Sequence, residues 1–181
     1  SLHDDDELPA SIRSRGLPMV IGGRNGESDA PWVDVDNERG AALAAQLLVD
    51  TGCQVVGTIT GPFDMTAGRD RYAGFETALA GAGRTLTDDL VATGDFSRES
   101  GARAMAELSL REGALEVALS KAAEAAALLI EAEGAAHPDV AAAEDTLGRA
   151  LYALGRHTEA RAEFEAALKA REARFGLESP L

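Results

Sequence analysis

Three histidines and one cysteine are the residues best suited to metal or nucleophilic chemistry, and their spacing supports neither. His3, His137 and His157 stand far apart, with no H-E-x-x-H pattern and no cysteine at metal-ligand spacing. His137 precedes a proline and His157 falls in a turn, so both read as polar turn residues. Cys53 is the only cysteine. It cannot form an intrachain disulfide, fits a reducing compartment, and reads as a small buried hydrophobe before the run QVVGTIT. The acidic run Asp4–Glu7 lacks convergent ligands and reads as a solvated loop. GGRNG lacks the strand and helix context of a dinucleotide loop, and neither a phosphate loop nor a G-x-S-x-G elbow occurs. The sequence therefore points to a non-enzyme with no metal and no cofactor. The polar residues able to pair are Arg24, Asp34, Asp70 and Arg71.

Charge narrows the partners. The net charge is −14, with 9 basic against 18 acidic residues in 1–108 and 8 against 13 in 109–181. Such a surface repels nucleic-acid phosphates, so direct nucleic-acid binding is not expected. No apolar run reaches the length of a membrane span, and no secretory leader is recognisable, so a cytoplasmic protein is expected. The chain opens on Ser1 and reads as an excised fragment. Aromatics make up 4%, so apolar faces must be built from Ala, Leu and Val.

The elements that must carry these residues follow from periodicity. LPMVIGG (17–23) reads as a buried strand, RNGESDAP (24–31) as a loop and WVDVD (32–36) as a short strand. Asp36 or Asn37 can cap a helix carrying Ala41, Ala44, Leu47 and Leu48, which Gly52 ends. Gln54–Thr60 is the next strand, broken by Gly61-Pro62. A helix over 67–82 places Tyr72, Phe75 and Leu79 on one side. Leu90–Thr93 is a strand, and Ser97 caps a helix from Arg98. This alternation predicts a partial parallel sheet with crossover helices. Ligands of open α/β sheets bind beyond the carboxyl ends of strands, here Gly61–Arg71 and Gly94–Ser97. From Arg98 the pattern is helical, as one long helix or as two with a break near 110–113, which Gly113 favours.

The blocks WVDVDNERGAALAAQLLVDTG, GTITGP, AGRDRYAGFETALAGAG and GDFSRESGARAMAEL resemble, in order and spacing, the effector-binding core of LacI/GalR-type transcriptional repressors. The resemblance covers about 1–108. It implies a truncated periplasmic-binding-protein-like fold and small-molecule sensing of a sugar or purine, without the helix-turn-helix that reads DNA. By the same resemblance Arg71 and Phe96 are effector contacts and Arg24 a weaker one. The alternatives are a surface salt bridge for Arg71 and a core-filling ring for Phe96. The Asp36-Asn37 pair matches a family signature and reads as a helix cap.

The last third carries a repeat. Gly134 and Gly176, and Pro138 and Pro180, stand at one common offset, as in helical arrays. The segment 114–181 resembles tetratricopeptide (TPR) repeats. Leu147 and Gly148 match the first-helix pair, Ala160, Phe164 and Ala167 match the second-helix stripe, and Gly155-Arg156 supplies the turn. The proline usual after the second helix is missing, so that helix should run to about Arg174. One full all-α hairpin and one preceding helix are too few to cover themselves. The expected organisation is thus a partial effector-binding domain over 1–110 and a TPR-like module over 111–181, joined as a chimera. The alternative function is a protein–protein interaction or self-assembly module with the α/β part as scaffold. A homo-oligomer through open sheet edges or helices and a peptide partner are the expected associations.

Overall fold

The computed structural model describes residues 3–24, 29–135 and 137–175. The loop residues 25–28 and the repeat markers Gly176 and Pro180 lie outside them. The chain divides into two compact units, Ser1–Asp95 and Phe96–Leu181.

The first unit is built on close packing of two helices, α2 (Asn37–Asp50) and α3 (Thr66–Gly81), preceded by a short helix α1 (Leu8–Ser14). Asp36 caps α2 by accepting from the Arg39 backbone N–H at 2.9 Å. Asn37 is therefore the first helical residue. Gly52, at φ +83°, closes the helix, with Cys53 N–H bonded back to the Leu48 carbonyl at 3.1 Å. Gly74 sets the contact with α3: any Cβ there would strike the backbone carbonyl of Glu38. That crossing decides which face of α2 is inward. Ala45 is buried, with Ala41, Leu48 and Val49 beside it, against Phe75, Leu79, Val56 and Leu86. The spacing Ala41–Ala44–Leu47–Leu48 thus needs correction, since Ala44 and Leu47 are exposed. Cys53 is half-buried against this core rather than fully buried.

The strands are shorter than their apolar runs. β1 (Ile21–Gly22) pairs in parallel with β2 (Trp32–Val33), and β3 (Thr58–Thr60) pairs in parallel with β4 (Val91–Thr93). The single partial sheet expected from the sequence is instead two separate parallel pairs. Strand propensity becomes a ladder only where a neighbour supplies donors and acceptors. The flanking apolar residues Val20 and Val55 are largely exposed, and the runs 17–20 and 54–57 stay outside the ladders. A 3₁₀ turn at Asp88–Leu90 also takes the start of the last predicted strand.

The N-terminal acidic run corrects in the same way. It is no bare solvated loop. Asp6 accepts from the Leu8 N–H at 2.9 Å, and Asp4 pairs with Arg69 at 2.5 Å. His3 pairs with Asp64 at 2.7 Å, which raises the imidazole pKa and lowers that of the carboxyl. Residues 3–6 are thereby tied to the segment that follows β3.

Among its described residues the second unit holds four helices, α4 (Arg98–Arg111), α5 (Leu115–Glu133), α6 (Pro138–Ala153) and α7 (His157–Phe175). Ser97 caps α4 by accepting from Ser100 N–H at 3.1 Å. Gly113 (φ +74°) and Gly155 (φ +77°) turn the chain where a side chain would strain it. His137 caps α6 through Nδ1 at 3.3 Å from Asp139 N, with Pro138 as the first helical residue. His157 begins α7 rather than lying in the turn, its ring 4.9 Å from that of Tyr152. The core is small-residue packing: Ala102, Ala125, Ala126, Leu129, Val140 and Ala143 form one cluster.

Gly148 receives the ring of Phe164, since a Cβ there would lie 2.7 Å from Cε1. Phe164 thus packs on its own hairpin partner. Gly148, Ala160 and Ala167 are buried, and Leu147 and Phe164 are half-buried.

Glu144, on α6, is less well satisfied. Its Oε2 is buried with no hydrogen-bond partner among the described residues. Burial first, and Glu163 second, push its carboxyl pKa above the ordinary 4.5. An acid with a raised folded pKa favours folding while protonated and loses that contribution as pH rises through the raised value. Glu144→Gln is therefore expected to raise Tm at pH 7 and leave it nearly unchanged at pH 4. Equal shifts at both pH values in thermal melts would refute the charge origin.

Candidate functional site

The polar residues singled out by type converge in the first unit. Asp34 follows β2, Asn37 opens α2, and Asp70 and Arg71 lie on the second turn of α3, just past the carboxyl end of β3. Alternation along WVDVD puts Trp32 and Asp34 on the same side of the extended chain.

Arg24 is held on several sides. Its backbone N–H donates to Asp34 Oδ2 at 3.2 Å, and its Nε lies 3.9 Å from the same oxygen. Its guanidinium donates through Nη2 to Asp70 Oδ2. Its Cζ sits 5.5 Å from the centroid of the half-exposed Trp32 ring, a cation–π arrangement. Asp34 Oδ1 in turn accepts from Asn37 Nδ2 at 3.1 Å. Asn37, 5% exposed, accepts from Arg71 Nε on its Oδ1 at 2.8 Å. Arg24 and Arg71 thus belong to one network running Asp70–Arg24–Asp34–Asn37–Arg71. Asp34 and Asp70 are its anionic members, and both are largely buried.

Two glycines bring the site's backbone together. A Cβ at Gly68 would strike the Pro62 carbonyl, and one at Gly57 would lie 2.7 Å from the Leu90 carbonyl oxygen. The first seats the start of α3 on the turn after β3. The second lets the chain entering β3 approach the chain entering β4. At the strand ends, Thr60 Oγ1 and Thr93 Oγ1 lie 3.4 Å apart, and Gly94 N–H donates to the Thr60 carbonyl at 2.8 Å.

Phe96 opens the second unit. It is half-exposed and has φ +71°, the one non-glycine residue with positive φ among those described. For a bulky side chain this region is a true outlier, costing about 1–3 kcal/mol.

The family model described as periplasmic binding proteins and sugar binding domain of LacI family matches residues 1–140.

The chain belongs to that family.

The match extends beyond the SGARAMAEL string at which the motif resemblance ends, through α4 and α5. The chain is 44% identical over 111 residues to the HTH-type transcriptional regulator CelR of Thermobifida fusca, covering 60% of this chain and 33% of that protein. It is 34% identical over 110 residues to the HTH-type transcriptional repressor PurR of Klebsiella pneumoniae, covering 56% and 32%. The chain thus spans about a third of the length of these curated relatives. A solved CelR–cellobiose complex superposes with TM-score 0.58 at 37% identity, covering 74% of this chain and 43% of that one. The regulator CcpA of Lactococcus lactis superposes with TM-score 0.54 at 26% identity, covering 60% and 40%. These LacI-family relatives are transcription regulators by name, in keeping with a non-enzymatic chain.

Sequence reasoning missed two members of this network. Trp32 read only as a strand residue and Asn37 only as a cap. The signal available was the period-two pairing of Trp32 with Asp34, two residues before the Asp-Asn pair. No motif specifies that Asn37 reaches across to α3.

Proposed function

We propose that this chain is the effector-binding portion of a LacI-family regulator for a small sugar or purine, with Arg71 in the first unit and, as a separate candidate, Phe96 at the start of the second as effector contacts. It catalyses no reaction and works in the cytoplasm. Arg24 is the weaker ligand candidate, since Asp70, Asp34 and Trp32 already engage it. The observation that carries the reading is the position of Arg71. It lies in a family-matched segment, beyond the carboxyl end of a parallel strand, where open α/β sheets bind ligands. A guanidinium offers a planar fork of donors to sugar hydroxyls or purine carbonyls. The strained backbone of Phe96 supports an aromatic kept for contact with a ligand ring.

Calorimetry and thermal shift with cellobiose, glucose, ribose, hypoxanthine and guanine test the proposal. One of these should raise Tm with saturation, by the equivalent of about 2.7 kcal/mol at a hundredfold excess over Kd. No shift with any of the five would refute it.

The partition into an effector-binding domain over 1–110 and a TPR-like module over 111–181, joined as a chimera, is part of the proposal. The Gly148–Phe164 packing supports the helical hairpin of that module. A second reading, self-association or peptide capture by the helices, is favoured by one observation. An apolar surface groove of about 370 Å³ runs along α7, lined by Tyr152, Ala160, Phe164 and Leu168 among others. Light scattering should then show concentration-dependent mass that Leu168→Glu abolishes. A monomer at all concentrations would dismiss self-association.

A further inference from the structure

We infer that Asn37 is a positioning residue for effector recognition: it fixes the guanidinium of Arg71 before a sugar arrives. The inference rests on the reading of Arg71 as an effector contact. Three observations carry it. Asn37 is almost fully buried, so its amide is not a surface group that chanced on a neighbour. Both ends of that amide are used, with Oδ1 accepting from Arg71 Nε at 2.8 Å and Nδ2 donating to Asp34 Oδ1 at 3.1 Å and to the Val35 carbonyl at 3.3 Å. Asp34 is itself fixed, accepting the Val35 N–H on Oδ1 at 2.8 Å and the Arg24 N–H on Oδ2 at 3.2 Å.

An arginine side chain loses much rotamer freedom when it is immobilised on a ligand. Holding Nε sets the plane of the guanidinium and the direction of both terminal nitrogens, so part of that ordering is already done. The acceptor at 37 is a neutral amide. A carboxylate at 37 would hold Nε more strongly but face the carboxylate of Asp34. That geometry also gives the Asp36-Asn37 pair two separate tasks: Asp36 caps the helix, and Asn37 reaches sideways to the site.

The test uses the full 181-residue chain and cellobiose as probe, comparing wild type, Asn37→Leu, Asn37→Asp, Arg71→Ala and the double variant Asn37→Leu/Arg71→Ala. Asn37→Leu should weaken cellobiose about tenfold, the scale of one lost hydrogen bond to a charged group. It should have no further effect once Arg71 is alanine. Asn37→Asp should recover part of the affinity. In ¹⁵N spectra the Arg71 Nε–H, assigned by its loss in Arg71→Ala, should be protected from exchange in wild type and Asn37→Asp and unprotected in Asn37→Leu. Asn37→Ser, too short to span the gap, makes the same comparison should the leucine variant not fold. Wild-type affinity in Asn37→Leu, with weak binding in Arg71→Ala, overturns the positioning role alone. Additive losses in the double variant also overturn it, since they assign Asn37 a merely structural effect. No cellobiose binding to wild type, or unchanged binding in Arg71→Ala, overturns the effector reading for this sugar and the inference with it.

Discussion

Gly74→Ala is expected to lower the melting temperature of the first unit. The new methyl would overlap the Glu38 carbonyl oxygen and come within 2.7 Å of its carbon and 2.9 Å of Glu38 Cα. These are backbone atoms of α2, so no side-chain rotation relieves the clash. The two helices must move apart, opening the contact that buries Ala45, Phe75 and Leu79. Overpacking of this kind costs about 1–3 kcal/mol and sometimes more. Alanine's better helix propensity returns only about 1 kcal/mol. Gly40→Ala is the matched control in α2, where a Cβ would meet nothing within 4 Å. It should leave Tm unchanged or raise it. Parallel melts followed by circular dichroism separate the two. Equal Tm values would mean that the helices do not cross at Gly74.

Arg71→Ala should weaken the effector about a hundredfold, with a smaller loss of Tm in the unliganded chain as the buried Asn37 amide loses a partner. Hydrogen bonds to a charged group contribute about 1.5–3 kcal/mol, and each tenfold in Kd is about 1.4 kcal/mol. Arg71 is an exposed residue, so its removal opens no core cavity. Arg71→Lys should recover little, because an ammonium cannot donate to Asn37 and present a planar fork at once. Titration calorimetry with the ligand that shifts wild type checks both variants. Unchanged affinity in Arg71→Ala would place the effector elsewhere.

Local chemistry was readable in the chain. Asp36 caps its helix because a short carboxylate before an apolar run can satisfy exposed N–H groups from within its own turn. Gly113 and Gly155 turn the chain because they reach positive φ without steric cost. The long final helix followed from the missing proline after Ala167. Helix α1, just after the acidic run, was hidden because its seven residues carry little periodic signal. The strand boundaries were hidden because pairing depends on a partner far away in sequence.

The sequence alone determined what each residue could offer: caps, turns, small faces, and arginines and aspartates able to pair. Those properties act over one or two turns and leave a pattern in the order of residues. Tertiary structure decided which face of α2 turned inward, through the crossing at which the Glu38 carbonyl seats on Gly74. It also decided that Asn37, on α2, would reach Arg71, on α3, at 2.8 Å. That meeting joins residues 34 positions apart. Only the packing of two helices sets such a distance; neither residue's own neighbourhood does.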